Sequence, residues 1–420
     1  MANRLLPPHE QTPERVVLIN DTSIARGGAT VLTLMLAELL RDRDINVTYI
    51  TGDTGDNKAL RALGVDVIAV GGRELLQQSR ITGMVNGIHN RNVAALLADF
   101  ITMRDTPGTV YHVHGWGQIL SPSVFGPLRK VASRTVVHCH DFFLACPNGV
   151  FFDFQKQTNC TRKPMGLDCV STHCDKRSYP HKLWRLARHF HFRRLFDQSL
   201  EWGRVIMIHP DMRVQFEQSD YPPDRLVTVR NPALAFSENR VTAENNKQLV
   251  FVGRIDPDKG VVELLQAAKT AGMGLTMIGD GPVRESLVAS HPHVEFTGWQ
   301  DRAAIRKLVQ DARALVMPSR YREPFGLVAV EASLSGIPVV LPQTSLLGPE
   351  IAQHGLGWTC DISDPVGFAA TLAKVRDAPK DAIRRISETG FSGTAELGQT
   401  APDWVEATLE IYCQTLAQAA

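Results

Sequence analysis

Two doubly wound α/β domains in tandem are the architecture this sequence predicts, and three observations carry the expectation. From Arg15 onward, short β-branched runs alternate with longer helix-period segments. That rhythm breaks once, near Asn231-Pro232, and then restarts. The 420-residue length also leaves room for two or three domains of ordinary size.

Val16-Val17-Leu18-Ile19 is the first expected strand. A Gly-containing loop follows, then a helix with Leu32, Met35, Leu36, Leu39 and Leu40 on one face. Further strand-like runs fall at 47–50, 65–70, 109–113, 135–139, 205–208 and 226–229. Such continuously apolar runs suit strands buried on both faces between crossover helices. A polar stretch poor in large aliphatics follows, and a second α/β series begins with strands near 248–252, 275–278, 294–296, 314–316 and 338–341. The expected organisation is a flexible tail over 1–14, a first domain over 15–232, a linker over 233–247, a second domain over 248–400 and a terminal helix over 401–420. In that last segment Val405, Leu409, Tyr412 and Leu416 stand at helical spacing. Open sheets of this kind gather ligands beyond the carboxyl ends of their strands, here in a cleft between the domains.

Composition narrows the function classes. With 44% hydrophobic and 21% charged residues, the chain is neither disordered nor fibrous. A formal net charge of +1 argues against a nucleic-acid partner. No apolar run approaches the ~18–20 residues of a membrane span. The start, MANRLLPPHEQTPER, lacks the apolar core of a signal peptide, so the expected location is cytoplasmic.

Four features of the second half stand where strands should end. Gly253-Arg254-Ile255-Asp256-Pro257-Asp258-Lys259-Gly260 follows a strand and opens a helix, bringing two cations beside free helix N–H groups, an environment for a pyrophosphate. Gly279-Asp280-Gly281-Pro282 again follows a strand, with Pro282 suited to a first helical position. Glu323-Pro324-Phe325-Gly326-Leu327 comes next, and Glu331 lies eight positions after Glu323. Pro324 disfavours a helical Glu323, so that carboxylate belongs to a loop while Glu331 sits about a turn into the following helix. Two carboxylates suit a polyol, whose hydroxyl protons they can accept. Each piece alone is weak; their order at successive strand ends is hard to explain by packing.

These motifs, with Pro318-Ser319, resemble the donor-binding half of the retaining GT-B glycosyltransferases of family 4, the glycosyl transferases group 1. The resemblance extends over nearly the whole chain from Arg15, and the glutamate motif is its most specific part. It implies two Rossmann-like domains facing a cleft, the second binding a nucleotide-diphosphate sugar. By resemblance, Arg254 and Lys259 hold the diphosphate, Glu323 the sugar hydroxyls and Glu331 the nucleotide ribose. Gly253, Asp280 and Gly281 belong to the donor site, the backbone of Phe325, Gly326 and Leu327 lines sugar and phosphate, and Trp299 falls at the base pocket.

The first domain matches through Arg26-Gly27-Gly28, where glycine permits close backbone approach to the diphosphate and acceptor. It matches again through His138-Cys139-His140-Asp141, whose His140 is the strand-end histidine and Asp141 the following acid. His112 and His114 share a strand face by alternation, with His114 nearer the acceptor. The resemblance implies transfer with retention, by front-face attack in which the leaving phosphate takes the acceptor proton. Glu323 is then a positioning carboxylate, not a covalent nucleophile. Arg254, Lys259 and helix N-termini stabilise the leaving group. With no Asp-x-Asp metal motif read at a suitable strand end, no cofactor or divalent metal is expected in catalysis. The implied acceptor is a glycan, glycolipid or polyprenyl-linked carbohydrate, as in cell-surface polysaccharide synthesis. Competing readings are a nucleotide-sugar epimerase and a non-catalytic nucleotide-sugar-binding protein on the same fold.

Two segments remain. Four of the seven cysteines, Cys146, Cys160, Cys169 and Cys174, fall within an insert at about 142–177. Their spacing lacks the paired C-x₂-C of common zinc ribbons, yet four thiolates around a structural Zn²⁺ would staple an insert with little aliphatic core; unpaired thiols and two disulfides are the alternatives. From 176 to 196 the chain has seven Lys/Arg, three His and no acid, with Leu183, Leu186, Ala187 and Phe190 as an apolar stripe. That pattern fits a solvated basic face, or a peripheral contact with an anionic membrane surface.

Overall fold

The computed structural model describes residues 12–25, 27–393 and 395–420. They form two compact units. The first holds the described residues up to Lys156, together with Cys160–Arg230 and Ala401–Ala420. The second holds Gln157–Asn159 and Asn231–Thr400. Residues 1–11 of the expected tail, and Arg26 of the expected Gly-Gly loop, lie outside the described residues.

The first unit is built on β1 (Arg15–Asn20), β2 (Asn46–Thr51), β3 (Asp66–Ala69), β4 (Thr109–Val113) and β5 (Thr135–Cys139), followed by strands Val205–Met207 and Leu226–Thr228. Their spatial order is β3-β2-β1-β4-β5 and then the last two, with every pair parallel. Val16, Val17, Leu18 and Ile19 of β1 are fully buried, as an unbroken apolar run in a central strand requires. The order reverses between β1 and β4, which makes that crevice the switch point of the sheet. Helix Ala401–Ala419 belongs to this unit although the second unit precedes it in the chain. It buries Trp404 and Tyr412 completely and pairs Glu406 with Arg43 at 2.8 Å.

The second unit repeats the scheme with six parallel strands, ordered Glu295–Gly298, Leu275–Ile278, Gln248–Val252, Ala312–Val316, Val339–Pro342 and Gly357–Cys360. The last of these carries no apolar run and is absent from the sequence reading. It pairs closely enough that a Cβ on Gly357 would lie 1.9 Å from the Val339 carbonyl oxygen. The switch point falls between Gln248–Val252 and Ala312–Val316, so Gly253 and Pro318-Ser319 emerge side by side.

Two local expectations need correction, and the basic segment gains its detail. The stretch assigned to a linker folds into the second unit: Phe236, Val241 and Ala243 are buried, and Ser335 Oγ accepts the Phe236 N–H at 2.8 Å. Pro282 does not begin a helix; it lies in a turn, and the helix runs Arg284–Ser290. The basic segment forms helix Tyr179–Leu195, but its buried residues are Lys182, Leu186, Arg188, His189 and Phe192, while Leu183 and Phe190 are exposed. Aromatic packing sets that rotation: Phe192 stacks on Trp116 at 5.0 Å, and Arg188 donates to the Gly117 carbonyl at 2.8 Å.

Candidate active site

In the second unit the strand-end loops bring Lys259 and Glu323 together. Lys259 ends the short turn Pro257–Lys259, which Asp256 caps by accepting the Asp258 N–H at 3.1 Å. The next residue, Gly260, has φ +68°, and a Cβ there would stand 1.9 Å from the Pro318 carbonyl oxygen. Only glycine lets the two loops pass this closely. Lys259 Nζ donates to Glu323 Oε2 at 2.7 Å, and Ser319 Oγ donates to the same oxygen at 2.7 Å. The ammonium also lies 5.0 Å from the Tyr321 ring centroid.

Burial alone would raise the Glu323 carboxyl, but the Lys259 ammonium and the Ser319 hydroxyl hold it below the usual carboxylate range. Burial would likewise lower Lys259, and Glu323 more than offsets this, keeping the amine protonated well above its ordinary range. Burial and then the Glu323 charge push the Tyr321 phenol up to about 12. The result is an ionised carboxylate held by the Lys259 ammonium and the Ser319 hydroxyl.

Gly326 ends the glutamate loop in the left-handed region, φ +78°, and opens helix Leu327–Leu334. Glu331 lies one turn in, where Arg302 donates to its Oε1 at 2.9 Å. Burial raises the Glu331 carboxyl, with Arg302 opposing. Arg302 also binds the Leu234 and Ala235 carbonyls at 2.7 and 2.8 Å, so it is a braced partner. Arg254 is well exposed and pairs with Asp256 Oδ2 at 2.9 Å. Asp280 Oδ1 accepts the Gly281 N–H at 2.8 Å. Gly281 itself stands where a Cβ would meet the Ile255 carbonyl oxygen at 2.2 Å. Phe325 is buried, whereas Trp299 is 75% exposed. Ser319 was legible only as part of a motif, and Tyr321 and Arg302 gave no sequence signal, because each acts through a partner on another loop or helix.

In the first unit Gly27 and Gly28 open helix Gly28–Arg41, and nothing lies within 4 Å of a Cβ placed on Gly27. His112 and His114 share a face of β4 as alternation predicts, with ring centroids 4.0 Å apart. His138 and His140 do the same on β5, stacked at 4.4 Å. His114 Nδ1 and His140 Nε2 are 3.1 Å apart. Burial pushes His140 down to about 4, so it is a neutral imidazole near pH 7. Burial lifts Asp141 to about 6, opposed by the Phe143 N–H at 2.8 Å and by Arg188. At the switch point Asp21 accepts the N–H groups of Gln118, Ile119 and Leu120 at 2.7–2.8 Å. A lone aspartate after a strand gave no warning of that role.

Among the described residues, the four cysteines of the insert do not bring three ligand atoms within 4.8 Å of one another. All seven are free thiols. Lys182, buried in the basic helix, donates to Cys174 Sγ at 3.2 Å and Cys169 Sγ at 3.6 Å. Cys146 Sγ donates to Asn148 Oδ1 at 3.0 Å, and Arg162 lies 3.6 Å from Cys160 Sγ. Among the described residues, the set of three His, Cys, Asp or Glu ligands whose donor atoms lie within 4.8 Å of one another is His112, His114 and His138. A cation already stands among the thiols, and it is an ammonium.

Two family models match this chain: the glycosyl transferase 4-like domain over residues 27–232, and glycosyl transferases group 1 over 235–391. The two halves of the chain thus resemble the two halves of the group 1 glycosyl transferases. Glycogen synthase from Mycobacterium tuberculosis is 32% identical over 179 residues, which is 39% of this chain and 42% of that protein. The chain thus matches less than half the length of that curated relative. Among solved structures, sucrose-phosphate synthase from Thermosynechococcus elongatus superposes with a TM-score of 0.71 at 15% identity, over 96% of this chain and 100% of that one. HepE from Anabaena, solved with UDP, gives 0.62 at 16% identity over 94% and 98%. Both likenesses establish the GT-B fold. Among the described residues no helix is long and apolar enough to cross a membrane.

Proposed function

We propose that this chain is a glycosyltransferase that moves a sugar from a nucleotide-diphosphate donor to a carbohydrate or lipid-linked acceptor with retention of configuration. The observation that carries the reading is the fixed Lys259–Glu323 pair at the switch point of the second unit. Cleaving a sugar–diphosphate bond develops negative charge on the leaving phosphate and positive charge on the ring. Lys259, with Arg254 nearby, answers the first, and the ionised Glu323 orients hydroxyls around the second. In this reading Glu331, which Arg302 braces, takes the ribose. The glycines at 279 and 281 let their loop pack against the Gly253 and Ile255 carbonyls, where a Cβ would stand 1.9 and 2.2 Å away. The HepE neighbour bound to UDP supports a nucleotide donor of this class. His140, His114 and Asp141 form the acceptor-side reading of the first unit. Front-face attack, with the leaving phosphate taking the acceptor proton, needs no protein nucleophile.

A thermal-shift panel of nucleotide sugars tests the donor reading. The true donor raises the unfolding midpoint by linkage, and Lys259→Ala removes the shift. If no nucleotide sugar stabilises the protein, the reading fails. Product analysis with an isotopically labelled donor reads the anomer, and inversion would overturn retention.

Work at a membrane surface follows from a second observation. Helix Arg80–Ile88 exposes Ile81, Met84 and Val85 and packs against the basic helix, where the Trp184 indole N–H donates to the Met84 carbonyl at 3.0 Å. With the exposed Leu183 and Phe190, this gives an apolar surface beside a run of Arg and Lys, the composition that anionic bilayers attract. Co-sedimentation with anionic vesicles at low ionic strength, lost in Ile81→Ser/Val85→Ser, is the expected result. No binding at any ionic strength would overturn it.

A further inference from the structure

The four histidines of β4 and β5 are a buried polar cluster that glycosyl transfer does not account for in full. His112 and His138 are fully buried or nearly so, and His114 is 6% exposed. Their rings are close: His112 to His138 is 5.4 Å and His114 to His138 is 5.1 Å between centroids. The pattern of their hydrogen bonds is informative. His112 Nδ1 meets the Tyr412 hydroxyl at 2.6 Å, and His114 Nδ1 meets His140 Nε2 at 3.1 Å. The other nitrogen of each, Nε2, has no protein partner, and neither nitrogen of His138 has one. Leaving a buried polar atom unpaired costs about 1–3 kcal/mol, and this cluster accumulates four such atoms.

In His112 and His114 one ring nitrogen is held by an outer partner, as in a ligating histidine, and the other is without a partner. The three donor atoms lie within 4.8 Å of one another, close enough to share an ion.

We propose that His112, His114 and His138 form a binding site for a borderline first-row divalent metal ion, Zn²⁺ in the cell, that ties β4 to β5. Three imidazole nitrogens select Zn²⁺, Co²⁺, Ni²⁺ or Cu²⁺ over Mg²⁺ and Ca²⁺, which demand oxygen ligands. A three-histidine set leaves one position for water or a small ligand. Tyr412, from the terminal helix, acts as the outer partner of His112, so metal occupancy also locks that helix to the sheet. The site is separate from the donor-binding groups of the second unit, and its test does not read transfer.

Full-length protein stripped with chelator and titrated with Co²⁺ provides the test. The expected result is roughly one equivalent bound, with the ligand-field absorption of imidazole-coordinated cobalt and no thiolate-to-cobalt charge-transfer band. His138→Gln, checked for folding by circular dichroism, abolishes that spectrum. Tyr412→Phe weakens binding roughly 10–100-fold through the lost outer partner. Absence of cobalt binding by the wild-type chain would overturn the proposal. So would a thiolate charge-transfer band, which assigns the metal to the cysteines, or unchanged binding in folded His138→Gln. If that variant does not fold, X-ray absorption of the wild-type cobalt form decides between a nitrogen and a sulfur shell.

Discussion

The two units solve opposite problems at equivalent places in their sheets. In the second, the polar groups at the switch point satisfy one another: Glu323 takes Lys259 and Ser319, and Glu331 takes Arg302. In the first, four imidazoles crowd together with nitrogens left bare. Paired charges hold a geometry ready for a ligand that brings its own hydroxyls and phosphates. Bare nitrogens in a buried place lack something that the protein does not itself supply. The same fold can therefore carry one site that is complete in its side chains and another that is not.

The largest expected effect breaks the paired site. Lys259→Met leaves the Glu323 carboxylate buried without its cation, which costs about 3–5 kcal/mol of stability and lowers kcat/KM roughly 10²–10³-fold. The double variant Lys259→Met/Glu323→Gln removes both charges. Denaturant unfolding should then recover most of the stability while transfer stays low. Equal destabilisation in single and double variants would mean the pair is uncoupled.

Acid sharpens the comparison through another pair of the second unit. Arg240 holds Glu244 by two bonds, at 2.9 and 2.8 Å, and this pairing chiefly pulls the Glu244 carboxyl down to about 2. A folded-state pKa depressed below the unfolded value gives stability that is present above pH 4.5 and lost as pH falls towards 2. The loss amounts to about 3 kcal/mol at one unit per 1.36 kcal/mol. Unfolding midpoints measured across that window should slope down in the wild type and flatten in Glu244→Gln. A parallel slope in both would remove this pair from the account.

A smaller change tests whether Glu323 depends on its neutral neighbour as well as on its cation. Ser319→Ala deletes one donor to a charged acceptor and should cost about 1.5–3 kcal/mol. The lost hydrogen bond should also move the acid limb of the pH–rate profile upward, since the hydroxyl helps hold that carboxyl low. An unmoved limb would show that Lys259 alone sets the ionisation.

The sequence made most of the strands visible because parallel strands buried on both faces must be apolar throughout, as 16–19 and 314–316 are. Gly357–Cys360 escaped because an edge strand of four residues carries no such run. Glu323 and Glu331 were legible through Pro324 and their spacing, and His112 with His114 through alternation. Tyr321 and Arg302 were not, since nothing local distinguishes a braced side chain from a solvated one. The apolar stripe of the basic helix was legible, but which residues it buries was not: Leu186 is buried, Leu183 and Phe190 are exposed, and the stack of Phe192 on Trp116, 76 residues apart, leaves no local signal. The partner of two cysteines was hidden for a related reason: the cation that meets them, Lys182, lies on the next helix.

The smallest expected effect addresses the incomplete site. Tyr412→Phe removes the hydroxyl that meets His112 Nδ1 and leaves a further buried nitrogen without a partner. In chelator-stripped protein the cost should be about 1 kcal/mol, one ordinary hydrogen bond, because the bare cluster already tolerates unpaired nitrogens. With saturating Zn²⁺ the same substitution should cost more, since the hydroxyl then orients a ligand as well as satisfying an atom. Unfolding free energies of wild type and variant, each with and without metal, form a thermodynamic cycle whose coupling term reads the outer partner directly. A coupling term of zero would make Tyr412 a packing residue of the terminal helix, and the histidines a stack held by burial alone.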